Sequence, residues 1–317
     1  MKKIVGVLGV TFCLMLAGCA SQKQDTIEKR NTDISKDLTY DHSMELEYAK
    51  MFAVDYYQND YALVTIADDG KYLIVPEGES VPEDMDKDIT VLQQPIQNIY
   101  LAASAAMDMF VATDALDAVR FSSLKADGWY IEEAKKAMED GDIIYAGKYS
   151  APDYEMILNE NCGLAIENTM ILHTPEVKEQ MEKFNIPVLV DHSSYETNPL
   201  GRTEWVKLYG LLTGHEDQAE QAFDAEAKAF EQVSDRDATG KTVAFFYITT
   251  NGEANVRKSA DYLPKMIELA GGSYIFDDLG DEEEATSTVS LQMEEFYTGA
   301  KDADYIIYNS TIEGELS

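Results

Sequence analysis

Residues 203–233 read TEWVKLYGLLTGHEDQAEQAFDAEAKAFEQV, and they differ from everything on either side. Thr203 can cap a helix, and Glu204 falls in its first turn, where the helix dipole favours an acid. Trp205, Leu208, Tyr209 and Leu212 follow helical spacing, and Ala219, Ala222, Phe223, Phe230 and Val233 continue it. The spacing predicts one helix of about thirty residues with a kink at Gly214. On its N-terminal side, from residue 95, short apolar runs alternate with helical ones. The expected strands there are 96–102, 119–122, 143–146, 164–166 and 187–190, and helices are expected to follow Ser104 and over 130–138, 154–158 and 177–184. On its C-terminal side the alternation resumes with a nearly unbroken apolar run, Thr242 to Ile248, as a buried parallel strand should show. A helix over 262–269, an extended 274–276, a helix over 291–300 and a strand over 305–308 follow. Such alternation predicts parallel sheets with covering helices. The long helix therefore divides two α/β units.

Farther out, residues 49–75 read as β, with Ala62–Ile66 and Lys71–Val75 flanking the hairpin signal Asp68-Asp69-Gly70. Lys2 and Lys3 precede an uncharged, mostly apolar run, Ile4 to Ala17, too short for a permanent membrane span and fitting a secretory signal core. The run ends Leu16-Ala17-Gly18-Cys19, which looks like a bacterial lipobox and implies lipid transfer to Cys19 with cleavage before it. Residues 20–43 are mostly polar and are expected to form a flexible tether. Cys13 leaves with the signal, so Cys162 stands alone and is read as a small buried residue. No internal disulfide and no Cys-x-x-Cys metal site is expected.

The chain has 317 residues, 25 Lys and Arg, 59 Asp and Glu, and a net charge of −34. Phosphate binding needs a basic face, so this balance argues against nucleic acid. It argues equally against a basic face lying on anionic lipid. Asp191-His192-Ser193 has triad residue types, but neighbours at a strand end point apart and cannot form a relay. No nucleophile elbow, dinucleotide fingerprint, P-loop or His-Glu-x-x-His is present. No enzyme, catalytic residue or cofactor is expected. The four histidines, His42, His173, His192 and His215, are too scattered for a three-His metal site.

Two α/β lobes, one long helix and a lipobox together resemble the helical-hinge class of ABC-transporter solute-binding proteins, in particular those for ferric siderophores, haem and cobalamin. Tyr154-Glu155-Met156-Ile157-Leu158 with Leu164-Ala165-Ile166 stands where that family has a glutamate-led helix and a Pro-Asp-Leu strand, with Cys162-Gly163 for the Pro-Asp. Ile186-Pro187-Val188 is similar to its Gly-Ile-Pro-Val strand, with Asn185 for the glycine. Trp205 to Gly214 resembles the start of the inter-lobe helix, and Leu269-Ala270-Gly271-Gly272 the Ala-Gly-Gly element. Ala303-Asp304-Tyr305-Ile306-Ile307 resembles the Pro-Asp-x-Ile-Ile strand, with alanine for proline. The resemblance covers residues 90–317 and implies a periplasmic-binding-protein-like α/β fold: two Rossmann-like lobes joined by a single long helix. The expected boundaries are 1–18 for the signal, 19–43 for the lipidated tether, 44–201 for the N-terminal lobe, 202–236 for the inter-lobe helix and 237–317 for the C-terminal lobe. That family continues past the last strand, so the second lobe is expected to be incomplete here.

Ligand in such a fold lies between the lobes, against loops at the C-terminal ends of parallel strands. The expected contacts are Ser104, Lys148, Tyr149, Met170, Tyr195, Arg202, Arg257 and Tyr274. Tyrosine faces suit a planar or catecholate ligand, and Arg202 and Arg257 offer planar forks to an anionic one. By resemblance, Glu155 on one lobe and Glu295 on the other (or Glu294) dock into basic sockets on the permease. The resemblance further implies an extracytoplasmic, lipid-anchored monomer that hands a metal chelate to an ABC permease and its ATPase. The expected cargo is a ferric siderophore, then cobalamin or another corrinoid, then haem; a bare metal-ion receptor and a lipid-anchored hydrolase are the less favoured alternatives.

Overall fold

Apolar residues recurring at every second position between 52 and 75 can cover two faces of one sheet. In the computed structural model, which describes residues 32–67, 69–234, 237–280 and 288–310, they do so. Strands β1 (Tyr40–Ser43), β2 (Phe52–Tyr57), β3 (Ala62–Ile66), β4 (Lys71–Val75) and β5 (Ile89–Gln93) pair in that order. The first four are antiparallel and β5 is parallel to β4. Phe52, Val54, Val64 and Ile74 face the main core. Tyr57, Leu63, Leu73 and Val75 line the other face, where Ile34 and Leu38 cover them. The expected tether over 19–43 is thus corrected within its described part. Apolar side chains at 34 and 38 bury themselves against an otherwise open sheet face, and β1 adds a strand to it. The signal segment, the lipobox and Cys19 lie outside the described residues.

A parallel sheet follows. It is built from β6 (Ile99–Leu101), helix α1 (Met107–Ala112), β7 (Val119–Ser122), α2 (Glu132–Asp140), β8 (Ile144–Tyr145), the small hairpin β9 (Gly147–Lys148) and β10 (Ala151–Pro152), α3 (Tyr154–Asn159), β11 (Ala165–Asn168), α4 (Pro175–Lys183) and β12 (Val188–Asp191). The strand order is β12-β11-β6-β7-β8, parallel throughout. Asp153 caps α3 by accepting from the Met156 N–H, and Pro175 opens α4, where a missing N–H costs nothing. The two sheets are latched together. The Tyr72 hydroxyl donates to the Val188 carbonyl, and Asp69 accepts from the Lys178 ammonium at 2.6 Å.

The long helix is not one helix. The chain forms α5 (Pro199–Glu204), α6 (Val206–Thr213) and α7 (Glu216–Ser234). Gly214 adopts φ 73°, a left-handed conformation that ends α6. α7 then folds back. Val206 packs with Ala219 and Phe223, and the Lys207 ammonium lies 3.3 Å from Glu220. Gly210 makes the approach possible, because a Cβ there would sit 2.5 Å from that of Ala219. Residues 202–213 therefore belong to the N-terminal lobe, and α7 alone leads to the second lobe.

That lobe comprises β13 (Lys241–Ile248), β14 (Ala254–Arg257), α8 (Tyr262–Leu269), β15 (Gly272–Tyr274), β16 (Thr288–Leu291), α9 (Met293–Ala300) and β17 (Tyr305–Tyr308). β13 is parallel to β15 and β17, as expected, but antiparallel to β14, which pairs with β16. A turn at Thr249–Glu253, with Gly252 at φ 79°, reverses the chain and produces this mixed sheet.

Candidate functional site

All five strands of the parallel sheet run the same way, so their C-terminal ends define one edge. Ser104 is exposed there, at the start of the 3-10 turn that leads into α1 rather than as a helix cap. Lys148 is exposed and Tyr149 half-buried in the hairpin after β8. The Tyr100 hydroxyl steadies that hairpin by donating to the Gly147 carbonyl. Met170 is half-exposed after β11. Its N–H is held by the Asn168 side chain, which also donates to the Ala102 carbonyl. Tyr195 follows β12, its ring edge-on to His192. Five of the expected contacts thus share one edge.

The two arginines lie at the boundary with the second lobe. The Arg202 guanidinium stacks 3.6 Å from the centre of the Tyr262 ring, across from α5 to the first residue of α8. It also donates to the Ser194 and Glu196 carbonyls. Burial lowers its pKa. Arg257 lies 3.3 Å from Asp261, the N-cap of α8. Both forks are engaged by protein groups, so their reading as ligand-facing cations needs revision. Tyr274 is a clearer correction. Only 3% of it is exposed, and its hydroxyl donates to the Arg257 carbonyl and accepts from the Arg257 N–H. It locks β15 to β14 inside the core.

A cavity of about 320 Å³ opens between the lobes. Tyr48, Lys50 and Asn198 line one side, and Ser259, Asp261 and Lys265 the other. None of the eight expected contacts lines it. Two of its residues lie near expected ones, because Asn198 falls between Tyr195 and Arg202 and Ser259 two residues beyond Arg257.

The wall at Tyr48 depends on two carboxylates that sequence reasoning missed. Glu204, fully buried, accepts from the N–H groups of Glu47, Tyr48 and Ala49 at 2.8–3.0 Å. Glu196 accepts from Lys50, Met51 and the Trp205 indole. Burial pushes the Glu196 carboxyl up, and these donors oppose the shift. The segment 47–51 is thereby strapped across α5, and Tyr48 reaches Phe223 on α7. No local motif announces this contact, because donors and acceptors are 145 to 157 residues apart.

Glu167 at the end of β11 was also missed. It is fully buried, and neither carboxyl oxygen has a hydrogen-bond partner among the described residues. Burial alone pushes it up to about 8. Cys162 is partly buried, its thiol faces the Leu164 carbonyl, and burial raises it to about 11. Glu155 and Glu295 are exposed in the first turns of α3 and α9, one on each lobe, as is Glu294. Asp191 accepts from the Ser193 N–H and the Tyr209 hydroxyl, so it is held in the core rather than in a relay. No group of three or more His, Cys, Asp or Glu able to hold a metal ion occurs among the described residues.

No protein-family model matches the chain. An uncharacterized lipoprotein of Methanocaldococcus jannaschii is 26% identical over 346 aligned residues, covering 98% of this chain and 81% of that protein. A second uncharacterized lipoprotein of the same organism is 21% identical, covering 96% and 79%. Among solved structures, the periplasmic haem-binding protein HutB of Vibrio cholerae superposes with a TM-score of 0.54 at 17% identity, over 69% of this chain and 78% of that one. A possible iron-binding periplasmic solute-binding protein of Staphylococcus epidermidis gives 0.52 at 14%, over 67% and 77%. A periplasmic binding protein of Veillonella parvula gives 0.53 at 15%, over 68% and 70%. The fold is that of the periplasmic solute-binding proteins of the helical-hinge class.

Proposed function

We propose that this chain is an extracytoplasmic solute receptor of an ABC importer, held to the membrane through lipid on Cys19, and that its cargo is a metal chelate. The observation that carries the reading is the pair of α/β lobes, joined by α7 and touching at Arg202 and Tyr262, with the loop edge of a parallel sheet beside the boundary. Open α/β sheets bind ligands at that edge. The related lipoproteins support the anchor, and the solved neighbours support the transport class. Cargo enters between the lobes as a ferric siderophore by preference, with corrinoid and haem as the other cargoes of the class. Because one connecting helix joins the lobes, closure is a small rocking motion rather than a wide hinge. Glu155 and Glu295 then present one charge on each lobe to the permease, whose ATPase supplies the energy. The receptor itself acts as a monomer and performs no chemistry.

The test is calorimetric titration of the purified protein with a ferric catecholate, a ferric hydroxamate, haem and cobalamin. Saturable binding of one class at sub-micromolar affinity is the expected outcome. Failure of the folded protein to bind any of them would overturn the reading.

A further inference from the structure

We propose that Lys125 and Lys148, rather than the two arginines, read the charge of the cargo, and that Tyr130 stacks on its ring; the inference rests on the solute-receptor reading above. The arginines are occupied. Arg202 spends its fork on the Ser194 and Glu196 carbonyls and its face on Tyr262, and Arg257 is beside Asp261. Lys125 and Lys148 are exposed at the cargo edge, and among the described residues neither makes an ion pair with a carboxylate. Lys125 follows β7 and Lys148 follows β8. These strands are neighbours, with Ser122 opposite Tyr145 in register, so the two lysines stand at adjacent strand ends. The Lys125 ammonium lies 5.5 Å from the centre of the Tyr145 ring, which keeps it at this edge. In a chain of net charge −34, two exposed lysines at adjacent strand ends, neither in an ion pair with a carboxylate among the described residues, offer positive charge to an anionic cargo at this edge.

Tyr130 supplies the aromatic surface. Its neighbour Trp129 is buried, with the indole donating to the Ser122 hydroxyl at 3.1 Å, so the loop after β7 is pinned to the strand it leaves. Successive side chains of extended backbone point opposite ways. With Trp129 drawn in, Tyr130 is held out, and 97% of it is exposed. Large aromatics on anchored loops bring contact area at low entropic cost, because the backbone beneath them is already ordered. Two ammonium groups and a projecting ring suit an anionic, aromatic chelate of the tris-catecholate kind. A neutral corrinoid gains nothing from the lysines.

The experiment compares wild type, Lys125→Ala/Lys148→Ala and Tyr130→Ala, titrated with ferric tris-catecholate and with cobalamin at low and high salt. All three substitutions are on the surface, and thermal melting checks that the fold is kept. Wild type is expected to bind ferric tris-catecholate and to weaken with added salt. The double variant should bind about tenfold or more weakly and lose most of that salt dependence, and Tyr130→Ala should lose about tenfold. Wild-type affinity in both variants would overturn the inference and leave the receptor reading intact. So would wild-type binding of cobalamin without binding of the catecholate. A wild type that binds neither of these, nor haem or a hydroxamate, would overturn the receptor reading and the inference with it.

Discussion

Glu167 shows most directly how one residue can set a property of the whole lobe. It occupies β11 on the face that carries Ala165, among Tyr100, Ala102 and Val190. Tyr100 from β6 and Tyr154 from α3 are the titratable groups whose own pKa values its charge raises. A carboxylate here loses its water and gains no donor, so the folded state favours the protonated form and holds the group near 8 rather than 4.5. The sign follows. Stability is full below about pH 4.5, falls as pH rises through the folded value near 8, and is level above it. The loss spans on the order of 4–5 kcal/mol at most, at about 1.4 kcal/mol for each pH unit between the two values. Glu167→Gln keeps the shape and removes the charge. Denaturant titrations across pH 4–9 should show wild type weakening steadily with pH and the glutamine variant nearly flat, with the variant more stable at pH 8. Parallel pH profiles would mean that the carboxylate finds donors in solution.

At the scale of elements, the most instructive segment is the one that decides the fold. Helical periodicity runs unbroken through Gly214, because α6 and α7 each present an apolar face, and a period cannot distinguish a kink from a reversal. The deciding contact is Gly210 against Ala219, which becomes visible only once the two helices are side by side. Gly210→Ala places a Cβ 2.5 Å from Ala219 Cβ and 2.9 Å from the His215 carbonyl, distances that force the helices apart. The expected cost is about 1–3 kcal/mol, read as a lowered melting temperature. Ala219→Gly in the same chain should restore part of it, whereas an unaffected single variant would show that the hairpin is loose. Other elements were legible because their signals are local. The strand 119–122 matches β7, and 154–158 and 262–269 match α3 and α8 to within a residue. Turn residues and short apolar runs suffice for such elements. The strap at 47–51 was not legible, since Glu204 reads like any first-turn glutamate until its donors arrive from 155 residues away. Arg202 was expected to face ligand, but its ring partner Tyr262 belongs to the other lobe. Only the assembled molecule shows that the guanidinium is already engaged.

For the whole molecule, that engagement places a cation–ring contact across the boundary between the lobes. Among the described residues, α7, the contacts of α5 with α8, and the stack of Arg202 on Tyr262 connect them. A cation held against an aromatic face in a partly buried site contributes about 1 kcal/mol. Lost from one side of an open–closed equilibrium, this shifts the populations about fivefold. Tyr262→Ala removes the ring and leaves the Arg202 donors to Ser194 and Glu196 in place, so the N-terminal lobe is undisturbed. Spin labels introduced at Glu155→Cys and Glu295→Cys, exposed on opposite lobes, report the separation of the lobes. The distance distribution of Tyr262→Ala should broaden toward longer separations, and under the receptor role proposed above cargo should bind correspondingly more weakly, because closure is then less favourable. Tyr262→Phe keeps the ring face and should restore the wild-type distribution. Identical distributions in the wild type and the alanine variant would mean that the stack accompanies closure without holding it, leaving the lobe angle to α7.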